Sequence, residues 1–187
     1  MLVANHTKDG NGIQFWGDYN DIRCLYDIMS ELSYFDPQKD IQAEERNERL
    51  LTIVPYEARH AYQGERLIDN TFINGNGHTT YFGFEVDWIT MLFTYAALRY
   101  NAGHQPTDEI TQSYLYQLKF WIHDSMKKYD PVGTLWLEPY INGGIFISSP
   151  RVYEVHQELM QEYASLKPGK LRFRAIPSLL KKANQKL

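Results

Sequence analysis

The run from His78 to Tyr100 limits the fold more than any other stretch. His78 to Asp87 alternates cleanly: Thr80, Phe82, Phe84 and Val86 fall on one face, and Tyr81, Gly83, Glu85 and Asp87 on the other. A period of two with one apolar face is the pattern of a half-buried strand. Asp87 stands where an N-cap carboxylate accepts from the first helical turn. The expected helix, Trp88 to Tyr100, carries Ile89, Met91, Leu92, Phe93, Tyr95, Ala96, Ala97 and Leu98, so it is apolar almost all round. Such a helix needs cover on every side and is the expected central helix of the domain. Asn101-Ala102-Gly103 ends it.

The flanking segments supply that cover. Leu2 to Thr7 and Ile13 to Trp16 read as two strands around Lys8-Asp9-Gly10-Asn11-Gly12, a strong hairpin signal. Gly17 breaks the pattern. Asp18 suits an N-cap, with Asp21 three residues on, and Ile22, Leu25, Tyr26, Met29 and Leu32 repeat at helical spacing. An Asp18/Asp21 carboxylate pair for metal or acid–base work is the sharper reading; capping explains both residues and is favoured. Ser33 to Asp40 is a connection broken at Asp36-Pro37. A helix from about Gln42 to Gln63 opens on the charged run Glu44 to Arg49, and Pro55 is expected to kink or split it. Leu67 to Phe72 leads into a loop ending Asn74-Gly75-Asn76-Gly77.

Further on, Thr107 is the expected cap of a helix whose stripe is Ile110, Tyr114, Leu118, Trp121, Ile122 and Met126. Thr134 to Leu137 and Gly144 to Ile147 read as two strands. Ser149-Pro150 opens a helix facing its core with Val152, Val155, Leu159 and Tyr163. Leu171 to Ala175 reads as extended, and Pro177 to Lys186 as a short last helix. The order lacks a regular strand–helix alternation. The fold class is therefore α+β and helix-rich, with an N-terminal β-hairpin and short antiparallel strands packed against a helical core.

Charge divides the chain unevenly. Residues 167–187 hold seven Lys or Arg and no acid, leaving 12 basic and 23 acidic residues in the first 166. The expectation is a single α+β domain over 1–166 and a basic C-terminal tail, 167–187, packed on it or on a partner. Nucleic-acid contact through Lys167–Lys186 is the less favoured reading, because Leu171, Phe173, Ile176, Leu179 and Leu180 give the tail an apolar side. The single Cys24 permits neither an intramolecular disulfide nor a Cys-based zinc site. The first ten residues lack a signal-peptide apolar run. The apolar stretch Ile89 to Leu98 is far short of the roughly 20 residues of a membrane span. These features point to the cytoplasm and to no membrane.

One segment carries chemistry-bearing side chains at helical spacing: Tyr56-Glu57-Ala58-Arg59-His60-Ala61-Tyr62-Gln63-Gly64-Glu65-Arg66. At about 100° per residue, Ile53, Val54, Ala61 and Gly64 share the side of Leu50. Glu57 falls inside that stripe and His60 at its edge. A carboxylate facing a core needs a partner, so Glu57 is expected to be buried and paired. Gly64 is expected to allow close approach of another backbone. Glu57-x-x-His60 has the spacing of di-iron carboxylate bundles, but no second such pair occurs. No His-x-x-x-His exists among the six histidines, and neither glycine-rich loop matches a phosphate-binding fingerprint. No metal and no cofactor is expected. A packing pair at Glu57 is favoured over a catalytic one. Glu57 and His60 remain the catalytic candidates, and Tyr56, Arg59, Gln63 and Arg66 the binding candidates. Arg59 projects opposite the stripe, away from Glu57.

The pattern Tyr-Glu-Ala-Arg-His-Ala-x-x-Gly-Glu-Arg resembles the central motif of an uncharacterised bacterial family known only as a domain of unknown function. Gly12-Ile13 followed by Gly17-Asp18-x-x-Asp21-Ile22-x-x-Leu25-Tyr26 is similar too, and Tyr81 to Ala97 fits loosely. The resemblance spans about the first hundred residues and implies a bacterial, soluble, single-domain protein without an assigned activity. Pro55 departs from the family's pattern.

Three functions compete. A non-catalytic interaction or regulatory protein, acting on a protein partner or as a homodimer, leads, given the missing catalytic signatures, 14 tyrosines and the split charge. A small-molecule binder or enzyme using Glu57 and His60 is the alternative. Nucleic-acid contact through the tail is the third.

Overall fold

The computed structural model describes residues 1–33, 41–70, 73–74 and 77–187, with backbone alone for 41–48, 73–74 and 77–78. The expected breaker at Asp36-Pro37, the side chains of the charged run 44–48, and the turn at 75–76 lie outside this description.

The hairpin forms from β1 (Val3–His6) and β2 (Gly12–Gly17), paired antiparallel. Thr7 closes it: its backbone N–H donates to the Gly12 carbonyl at 2.8 Å, and its Oγ1 accepts from the Gly12 N–H at 3.0 Å. The helix α1 (Tyr19–Ser33) follows. Asp18 Oδ1 accepts from the Asn20 and Asp21 N–H groups, and Asp21 Oδ2 accepts back from the Asp18 N–H. The pair is thus a reciprocal cap that satisfies otherwise orphan donors.

The helix α2 (Ile41–Tyr62) runs unbroken through Pro55. Proline leaves the carbonyl four residues back, that of Leu51, without its helical donor. The Ser33 hydroxyl from α1 lies 3.4 Å from it, while donating to the Met29 carbonyl at 2.6 Å. One hydroxyl proton serves Met29, and Leu51 receives the weaker contact.

The segment after α2 is a strand, β3 (Leu67–Asp69), where the sequence signals no strand. Two short strands, β4 (Ile73–Asn74) and β5 (Gly77–His78), pair with each other. Then β6 (Tyr81–Asp87) completes a four-stranded antiparallel sheet of order β1-β2-β6-β3. Its register sets Ile13 opposite Val86 and Phe15 opposite Phe84, whose rings stack at 5.3 Å. These four side chains form the covered face. On the other face Gln14 donates to Glu85 and accepts from the Trp16 indole.

The central helix α3 (Trp88–Ala102) is buried on every side, with only Arg99 and Tyr100 exposed. Asp87 caps it, accepting from the Thr90 N–H at 2.8 Å. The Trp88 indole donates to the Gly10 carbonyl and ties the hairpin turn to the start of α3.

The next helix, α4 (Glu109–Tyr129), is capped by Asp108 rather than Thr107. Its core face is Thr111, Leu115, Leu118, Ile122, Ser125 and Met126, and Ile110 is exposed. Residues 131–141 then depart from expectation: α5 (Pro131–Ile141) is a helix, not a strand, and 144–147 is not a strand either. Pro131 presets the first helical position. Gly133, Thr134, Leu137 and Ile141 turn inward at helical spacing.

The chain ends with α6 (Val152–Ser165) and α7 (Lys170–Lys186), the latter one helix through Pro177. The expected extended stretch 171–175 is therefore helical. Packing overrides local propensity here: Phe173, Ile176, Leu179, Leu180 and Ala183 are buried within the main core, and the Phe173 ring meets Trp88 and Tyr129 edge-on. Gly133 is one of several glycines that allow a close approach. A Cβ there would lie 2.8 Å from the Phe173 ring. The architecture is helix-rich α+β, and no helix of the described residues is long and apolar enough to cross a membrane.

Candidate functional site

The end of α2 is a stapled helix terminus. Gly64 adopts φ +80°, and a Cβ on it would meet only Ile68 at 3.7 Å. Its role is therefore the left-handed conformation, not close backbone approach. The Glu65 N–H donates to the His60 carbonyl and the Gly64 N–H to the Ala61 carbonyl, both at 2.9 Å. These two bonds satisfy late carbonyls of the helix and turn the chain back along it.

That reversal brings Glu65 and Arg66 onto side chains of the preceding turns. Arg66 Nε donates to Glu57 Oε2 at 2.6 Å, and Nη2 to Oε1 at 3.2 Å. The carboxylate raises the guanidinium pKa further, through the hydrogen bond first. His60 Nδ1 contacts the Glu65 carboxylate, while its Nε2 is buried with no hydrogen-bond partner among the described residues. The Tyr56 ring lies 4.2 Å from the His60 ring, with the Arg59 guanidinium 5.6 Å from its centre. Gln63 is exposed.

Glu57 is paired, but its side chain keeps 28% exposure. The covered face of α2 runs through Leu50, Val54, Ala58 and Ala61, all fully enclosed, so Glu57 stands at its edge rather than inside it, and Arg66 returns over the carboxylate there. The structure thus gathers Tyr56, Glu57, Arg59, His60 and Arg66 into one surface cluster. A cleft of 310 Å³ opens beside them between α1 and α2, and Tyr56 and Arg59 line it; Glu57 and His60 do not. Among the described residues no group of three or more His, Cys, Asp or Glu is placed to hold a metal ion.

The cations of 167–187 meet the acidic body at several points. Arg174 grips the buried Asp130 with two hydrogen bonds of 2.6 and 3.1 Å, and the guanidinium holds that carboxyl below the usual range. Lys182 pairs with Glu162 and Lys186 with Glu158, each at 2.6 Å. The Arg172 guanidinium lies 3.9 Å from the Tyr163 ring centre.

A second surface emerges only from the structure. Val132, Leu135, Trp136 and Pro139 of α5 stand at i, i+3, i+4 and i+7, and all four are exposed, Leu135 at 63% and Trp136 at 52%. Tyr116 and Phe120, one turn apart on α4, are exposed as well. The two helices pack as an antiparallel hairpin, with His123 and Glu138 within 3.7 Å across it. Reading 134–137 as a strand hides this face. Pro131 together with the 132/135/136/139 spacing is the signal that reveals it.

Comparison with known proteins gives one relationship. No curated protein and no solved structure matches the chain. A family model matches residues 2–186, and the chain belongs to that family, described as a domain of unknown function (DUF6904).

Proposed function

We propose that this chain is a non-catalytic interaction protein of the bacterial cytoplasm, and that it pairs with a second copy of itself through the outer face of α4 and α5. The observation that carries this is the α5 stripe Val132, Leu135, Trp136 and Pro139, apolar and exposed. A helix apolar on both faces is normally covered on both, and α5 is covered on one. Tyr116 and Phe120 add exposed aromatic side chains on the neighbouring α4, and aromatic side chains are enriched at interface centres.

A second copy is the occupant that fits the charge pattern. The α5 stripe is uncharged, and the adjoining surface mixes Lys127 and Lys119 with Asp124 and Glu138. A two-fold arrangement of such a surface does not force like charges together. The Glu57–His60 pair draws less support as a binding or catalytic centre, since both side chains are engaged by the turn that follows them. Contact with nucleic acid through the tail also draws less, since Arg174, Lys182 and Lys186 already pair with acids of the body.

Light scattering on the full chain tests the reading. The wild type is expected as a dimer at micromolar concentration and Trp136→Lys as a monomer with unchanged circular dichroism. A wild type that stays monomeric throughout the concentration range would overturn it.

A further inference from the structure

The second cleft of interest lies between the last turns of α3, the middle of α4 and the loop that follows α5. It has a volume of 340 Å³, within the range of small-molecule sites. Its floor is apolar: Ala96, Ile141, Ile145 and Ile147 are all buried. Its rim carries two cations, Arg99 and Lys119, and no carboxylate lines it. Arg99 lies over the Tyr116 ring at 5.9 Å, at the edge of the cleft.

Three phenols, those of Tyr95, Tyr100 and Tyr116, and the Asn142 side chain complete the lining. Burial pushes the Tyr95 phenol up, so it stays a hydrogen-bond donor at neutral pH. The two helix ends nearby do not need the cations. The carbonyls of Arg99, Tyr100 and Asn101 accept from the N–H groups of Gly103 and His104, and those of Glu138, Pro139 and Tyr140 from Asn142, Gly144 and Gly143. In a chain with more acids than bases, a cleft with two cations and no acid has the electrostatics of an anion site.

We propose that this cleft binds a small organic anion, a carboxylate or phosphate ester carried on an apolar or aromatic body. The anionic head sits between Arg99 and Lys119, where a guanidinium offers paired donors and an ammonium a point charge. The body lies on the isoleucine floor against the tyrosine rings. This goes beyond the self-association reading; Tyr116 and Lys119 border both surfaces, and recognition of the anion is argued from the lining of the cleft alone.

Titration calorimetry on the full chain with phenylacetate, phenyl phosphate, inorganic phosphate and benzyl alcohol tests it. Binding of phenylacetate or phenyl phosphate is expected, and which of the two binds tighter assigns the head group. Benzyl alcohol and inorganic phosphate are expected to bind at least about tenfold more weakly, since each lacks one half of the recognition. Arg99→Gln and Lys119→Gln should each weaken the anion at least about tenfold, while Lys119→Arg retains it. Both side chains reach solvent, so the variants should keep the wild-type melting temperature. The proposal is overturned if neither aromatic anion binds, if the alcohol binds as well as the anions, or if the Gln variants bind unchanged.

Discussion

Two helices of this chain are apolar around their circumference, and they meet opposite fates. The helix α3 buries thirteen of its fifteen residues because β2, β6 and five helices surround it. The helix α5 buries four of eleven, because α4, α7 and the flank of α3 reach only one side of it. Composition alone would give both the same role. The difference lies in position: an apolar helix at the edge of a domain carries surface that the domain itself does not cover.

The comparison breaks most readily at its centre. Phe93 of α3 is fully enclosed, and Phe93→Ala should cost about 3–5 kcal/mol in urea unfolding. Leu135→Ala on α5, measured on dilute monomer, should change stability by no more than about 0.5 kcal/mol. Similar losses at the two sites would erase the distinction drawn between the helices.

The buried side of α3 also carries a pH dependence. The imidazole of His156, on α6, accepts from Gln157 at Nδ1 and donates from Nε2 to the Thr90 hydroxyl on α3 at 3.0 Å. Burial lowers its pKa from 6.5 to about 4. The unfolded chain takes up the proton first, so stability is complete above about pH 6.5 and falls as pH drops toward 4. The loss should reach roughly 3 kcal/mol, at about 1.4 kcal/mol per pH unit. In His156→Gln the fall over that window should be smaller by that amount. An identical pH profile in both proteins would mean that the imidazole is not held neutral.

A smaller effect is expected where α2 ends. Gly64→Ala forces a Cβ into the left-handed region and should cost about 1 kcal/mol. No loss on thermal melting would mean that the terminus does not depend on that conformation.

These regions also differ in how far the sequence discloses them. The hairpin, the reciprocal Asp18/Asp21 cap and α3 are legible because their signals are local: a turn dipeptide, a carboxylate three residues from its partner, a capped apolar run. The fold class follows from them. The helix α5 is not legible, because Val132, Gly133 and Thr134 are poor helix formers and Leu135-Trp136-Leu137 suits a strand equally well. Its packing on α4 and α7 is a tertiary matter, with Gly133 set against Phe173 some forty residues away. In the Tyr56–Arg66 segment the helical spacing puts Glu57 inside the apolar stripe, whereas the side chain stands at the edge of the buried face. The spacing does not give Arg66 as the partner of Glu57, because periodicity stops at Gly64 and the chain then folds back. The aromatic face of α4 and α5 and the cationic cleft beside α3 arise from helix pairing, which no single stretch encodes.

Amide hydrogen exchange at two protein concentrations separates the two helices most directly. Peptides covering 88–102 should show the same strong protection at both, since α3 is enclosed within one chain. Peptides covering 131–141 should gain protection as concentration rises, since association closes the outer face of α5 by mass action. Exchange in 131–141 that is independent of concentration would contradict the claim that this face is an interface.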